Sequence, residues 1–152
     1  MAAGVTLSRE SLGPFRAFLE ERLAAPVEEA RLASALEIDG ALSASGATLD
    51  LVAMLERAGP YGQGNPEPVF ALCAHTIAFA EEAGGAHVRM RLKAPSGALL
   101  DAIAFRCIGQ PLGDALIRRR GEAIHAVGTL SVDRYGGRER VQMRLVDAAS
   151  AG

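Results

Sequence analysis

The chain has 152 residues and a mass of 15.9 kDa, room for one ordinary domain or two small ones. With 49% hydrophobic and 22% charged residues, it can build a packed core, which excludes wholesale disorder. No apolar run is long enough to cross a membrane, and no basic start followed by an apolar stretch marks a signal peptide. Cys73 and Cys107 lie far apart with no CxxC spacing, and the histidines are scattered. This pattern argues against a disulfide framework or a zinc site, makes a reducing cytoplasm the expected compartment, and leaves Cys73 as a core residue. The net charge of −2 hides an asymmetry. Residues 1–84 hold 5 basic and 12 acidic side chains, and residues 85–152 hold 11 basic and 6 acidic ones. Such a split suggests two modules, the second facing a polyanion.

In chain order, residues 2–7 end in Val5-Thr6-Leu7 and predict a short strand behind the small Ala2-Ala3-Gly4. A helix follows, capped by Ser8 or Ser11, with Leu12, Phe15, Phe18, Leu19 and Leu23 on one face and its end at Ala24-Ala25-Pro26. A strand over 32–42 comes next, then a helix over 48–58 whose Leu49, Val52 and Leu55 have the spacing of a buried stripe. Residues 59–68 hold six Gly or Pro and predict a stiff joint. Beyond it, strands are predicted over 69–80, 87–94, 99–106, 122–132 and 138–146, with a short helix within 109–120. Three strands, a helix and two strands is the order of an OB-fold barrel; a small meander sandwich with an inserted helix is the competing fold. The expected class is therefore an α+β fragment followed by an all-β, five-stranded OB-fold barrel with one short helix.

The chemistry-bearing patterns point to binding rather than catalysis. There is no GxSxG, HExxH or phosphate-loop motif, and the acidic pairs are adjacent residues that point apart. The run His87-Val88-Arg89-Met90-Arg91-Leu92-Lys93 alternates cleanly. Val88, Met90 and Leu92 would face a barrel interior, and Arg89, Arg91 and Lys93 would track a phosphate backbone outside. The last strand repeats the pattern, with Val141, Met143 and Leu145 inward and Arg140, Gln142 and Arg144 outward. The hairpin loop between the last two strands adds Arg134, Tyr135 and Arg138, a ring between guanidinium groups suited to stacking on a base. Phe105 is a second candidate ring.

Four stretches carry a family resemblance. Residues 2–7, Leu36-Glu37-Ile38-Asp39-Gly40, residues 60–70 (PYGQGNPEPVF), and Asp101-Ala102-Ile103-Ala104-Phe105 with Val127-Gly128-Thr129-Leu130 together resemble the C-terminal part of the RecJ family of DHH phosphoesterases. The resemblance implies that residues 1–58 are the end of a DHH-associated domain, 59–68 a joint, and 69–149 an OB domain that binds nucleic acid. It implies a parent activity of metal-dependent 5′-to-3′ degradation of single-stranded DNA in repair and recombination. The magnesium or manganese would sit in a DHH domain that this chain lacks, so no cofactor and no catalytic residue is expected here. The expected partner is single-stranded DNA, with no membrane. The alternative is a docking module, in which the barrel packs on nuclease domains or on a repair protein.

Overall fold

In the computed structural model, residues 4–33 and 35–152 are described. The chain separates into two compact units, Met1–Leu36 and Glu37–Gly152. In the first, the Ser8 hydroxyl accepts the Ser11 N–H at 3.3 Å, capping a single turn that leads into helix α1 (Leu12–Ala33). The helix runs through Pro26, where the sequence predicts its end. Alanine and glutamate on both sides of Pro26 are strong helix formers, and they offset the one missing N–H. Phe15 and Leu19 are half-buried, whereas Leu12, Phe18 and Leu23 of the predicted apolar face are exposed. The predicted strand at 2–7 is not formed by residues 4–7, which are irregular; Ala2 and Ala3 lie outside the described residues. Of the predicted strand at 32–42, Leu32 and Ala33 finish α1, residues 35–39 are irregular and Gly40–Leu42 form strand β1; Ser34 lies outside the described residues.

The second unit begins with β1 and helix α2 (Leu49–Ala58), whose N-terminus is capped by the Thr48 hydroxyl accepting the Leu51 N–H at 3.2 Å. Five long strands follow: β2 (Phe70–Ala83), β3 (His87–Lys93), β4 (Leu99–Ala104), β5 (Ala123–Asp133) and β6 (Arg140–Ser150), with helix α3 (Pro111–Arg118) between β4 and β5. All five strands and α3 lie where the alternation pattern predicts them, with ends moved by a few residues. The pairing runs β2–β3–β4–β6–β5 and returns to β2, closing a barrel in which only β4 and β6 are parallel. β1 adds to β2 in parallel outside the closed ring. This is the OB-fold barrel, preceded by an α+β segment.

The interior is filled by the inward residues of every strand, among them Leu72, Ile77, Met90, Leu92, Ile124 and Met143, all essentially buried. Val52 brings α2 to this core and Leu116 brings α3. β2 is the strand that closes the ring. Its first residues pair with β5 and its last with β3, and register shifts fall between Leu72 and His75 and between Ile77 and Phe79. Ala74 sits at φ 52° within the first shift, so Cys73 and His75 face opposite ways. Cys73 is exposed, against the expectation of burial, while His75 is 2% exposed. The His75 ring is fully used. Its Nδ1 donates to the Cys73 carbonyl at 2.9 Å and its Nε2 accepts the Ala44 N–H at 3.1 Å, tying the β1–α2 segment to the bulge.

The Gly/Pro stretch at 59–68 lies inside the second unit, and the two compact units part at Leu36/Glu37 instead. Side chains pin this stretch to α2. The Tyr61 hydroxyl donates to the Leu55 carbonyl at 2.6 Å, and Asn65 Nδ2 donates to the Ala58 carbonyl at 3.4 Å. Among the described residues, no helix is long and apolar enough to cross a membrane.

Gly128 marks a close approach of β5 to β6, since a Cβ there would stand 2.1 Å from the Arg144 carbonyl oxygen. Gly128→Ala is expected to cost about 1–3 kcal/mol, read as a lower melting temperature by circular dichroism. Gly64→Ala, whose added Cβ meets open space, should stay within about 0.5 kcal/mol of the parent.

Candidate nucleic-acid interface

Strand β3 buries Val88, Met90 and Leu92 and exposes Arg89, Arg91 and Lys93, as its alternation dictates. Barrel closure then decides what stands beside them. In register across four strands, Phe79 of β2 pairs with Arg91 of β3, Arg91 with Asp101 of β4, and Asp101 with Gln142 of β6. These four outward side chains form one row over the sheet. Beside it, Glu81 pairs with Arg89. The hairpin between β5 and β6 overhangs the row. It turns through Gly136 and Gly137, at φ 74° and 75°, a backbone conformation that favours glycine.

Row and hairpin enclose a groove of about 640 Å³. Arg89, Arg91, Arg138 and Arg140 line it together with Phe79, Gln142, Asp101 and Asp133. Four guanidinium groups against two carboxylates leave the lining net positive. Arg91 Nε donates to Asp101 Oδ1 at 2.7 Å, and Arg140 lies 4.0 Å from the other carboxylate oxygen. The hydrogen bond to Asp101, and then the charge of Asp101, raise the Arg91 pKa above its ordinary value, so this group is always cationic. Arg89 is paired with Glu81. Arg138 is exposed and, among the described residues, makes no ion pair. Phe79 is 43% exposed.

The family model described as the RecJ OB domain matches residues 38–147, a span that contains the whole groove. The chain belongs to the RecJ OB domain family. It is 28% identical over 146 residues to the single-stranded-DNA-specific exonuclease RecJ of Dickeya dadantii (strain 3937), covering 95% of this chain and 24% of that protein. It is also 28% identical over 153 residues to the protein of the same name from Haemophilus influenzae, covering 97% and 25%. The crystal structure of RecJ in complex with Mn2+ from Thermus thermophilus shares the fold, with a TM-score of 0.61 at 22% identity over 97% of this chain and 20% of that one. The chain therefore spans about a quarter of the length of the curated relatives it matches.

Within this RecJ OB domain, the residues singled out from sequence are only partly brought together. Arg89, Arg91, Arg138 and Arg140 share the groove. Lys93 continues the β3 row opposite Leu99, beyond the groove. Arg134 stays in the hairpin, 3.0 Å from Glu139. Arg144, expected beside Arg140, instead lines a separate cavity of about 290 Å³ with Glu56, Tyr61 and Glu67. Phe105 is 51% exposed but stands outside the groove, edge-on to His87 with ring centroids 5.1 Å apart. The Tyr135 side chain lies outside the described part of the structure. Sequence patterning alone does not select Phe79 or Asp101. Asp101 is within reach of the outward alternation of β4, whereas Phe79 is turned outward only by the Ile77/Phe79 register shift.

Among the described residues, no group of three or more His, Cys, Asp or Glu is placed to hold a metal ion.

The Arg91–Asp101 pair is partly open to solvent, so its net contribution to stability should be small. A double-mutant cycle with Arg91→Ala and Asp101→Ala, followed by urea unfolding, is expected to return a coupling of about 0.2–1 kcal/mol.

Proposed function

We propose that the barrel grips single-stranded DNA along this groove, as the strand-binding module of a RecJ-like 5′-to-3′ exonuclease. In that reading the module works in the cytoplasm, in DNA repair and recombination. Hydrolysis, with its magnesium or manganese, belongs to a DHH domain outside this chain. The observation that carries the reading is the convergence of Arg89, Arg91, Arg138 and Arg140 on one groove beside a half-exposed Phe79. Guanidinium groups take phosphate oxygens by charge-assisted, often bidentate hydrogen bonds. An exposed ring takes the face of a base, and a base offers that face only when it is unstacked, which favours a single strand over a duplex. Curated relatives carrying the name single-stranded-DNA-specific exonuclease support the same choice of polymer. Lys93, Arg134 and Arg144 would add contacts to phosphates outside the groove, and Tyr135 and Phe105 would offer further rings.

A fluorescent oligonucleotide titrated at two salt concentrations tests this. Affinity should fall steeply as salt rises, because phosphate contacts release counterions. Arg138→Ala should weaken binding and flatten the log–log salt slope by about 0.7, one single-strand phosphate contact. Phe79→Ala should cost about 1–3 kcal/mol of binding and leave the slope unchanged. Undetectable or salt-insensitive binding by a folded sample overturns the proposal. If reversing Arg89 and Arg91 to glutamate spares DNA binding but abolishes association with nuclease domains or a repair protein, the docking alternative holds.

A further inference from the structure

We propose that Asp101 is a built-in counter-anion of the groove, a carboxylate that holds two phosphate-binding arginines and weakens the grip on the strand. The inference rests on the binding reading above. Asp101 is the midpoint of the row Phe79–Arg91–Asp101–Gln142, placed there by its pairing with β3 on one side and β6 on the other. One of its oxygens accepts from Arg91 Nε at 2.7 Å and the other faces Arg140 at 4.0 Å. The side chain is 28% exposed, so an incoming phosphate can reach it. The same three residues also line a second cavity of about 360 Å³, bounded by Leu49 and Leu99. Asp101, with the two arginines it faces, is thus common to the linings of both the groove and that cavity, which Glu139 also lines.

Two charged groups of opposite sign attract on the order of 1 kcal/mol at contact distance in water, and a like-charged pair repels by as much. A phosphate that meets Arg91 and Arg140 therefore also meets the carboxylate already between them. The result is a cluster of one net positive charge where two would otherwise act. Such a site releases its polymer more readily, which suits a module whose strand has to advance rather than stay fixed.

The test titrates the 152-residue chain and its Asp101→Asn variant with fluorescent oligo-dT and oligo-dC at two salt concentrations. Asparagine keeps the shape of the side chain and removes the charge. Affinity for oligo-dT is expected to rise roughly three- to tenfold. The salt slope is expected to steepen by about 0.7, as one more counterion is released. Asp101→Ala should reproduce the gain if the charge is what matters. Glu122→Gln changes net charge equally, is exposed, and pairs with Arg119 well outside the groove, so it should leave affinity unaltered. Thymine has no exocyclic amino group, so a loss of affinity for oligo-dC alone would make Asp101 a base-reading acceptor and overturn the proposal. Equal affinity of parent and variant, or an equal gain in Glu122→Gln, would overturn it too. If neither parent nor variant binds, the binding reading itself fails, and that outcome is distinct from the others.

Discussion

Closure of the sheet through β2 is the constraint on which the rest depends. One strand has to leave β5 and reach β3, and it does so by breaking register twice. The first break places Ala74 at positive φ and turns His75 inward, where the imidazole pairs with the buried Ala44 N–H and with the Cys73 carbonyl. The second break turns Phe79 outward, where strict alternation from the buried Ile77 would point it into the core. Each break disrupts part of a ladder, and the closed ring compensates by leaving no long open edge within the barrel.

Once the ring is closed, the outward residues of four strands become neighbours. The parallel pairing of β4 with β6 brings Gln142 to Asp101, and Arg140 to within ion-pair range of the same carboxylate, across a sequence separation of about forty residues. The resulting groove is not a bare positive surface. Each of Arg89, Arg91 and Arg140 already has a carboxylate within reach, and exposed pairs of this kind contribute little to folding. Their use is better sought in binding, where a phosphate competes for the same donors. The acidic first half of the chain and the basic second half meet this picture only in part. The positive side chains of the second half are concentrated by the fold, not by their number.

Legibility varies by element. The alternation in residues 87–93 is legible outright, since period two with three buried aliphatics admits one reading. The turn from β3 to β4 is legible as well, as Pro95-Ser96-Gly97 between two strand-like runs. Its register is not: Gly97 takes φ 92°, Ala94 N–H meets the Ala98 carbonyl at 2.8 Å, and Arg91 comes to stand opposite Asp101. Phe79 is not legible, because a bulge shifts the phase without leaving a composition signal. Arg144 misleads for a related reason. It keeps the outward phase of β6, but twist and the cover of α2 deliver it to another cavity. The Gly/Pro stretch also reads as a boundary by composition, yet hydrogen bonds from Tyr61 to Leu55 and from Asn65 to Ala58 fasten it to α2.

From local period alone come the five barrel strands, the helix between β4 and β5, and the residues of β3 and β6 that turn toward solvent. Tertiary structure alone decided which solvent-facing residues share a surface, where the compact units part, and how Phe79 and Asp101 come to stand among the arginines. Those outcomes depend on long-range pairing, barrel twist and bulges, which no local period encodes.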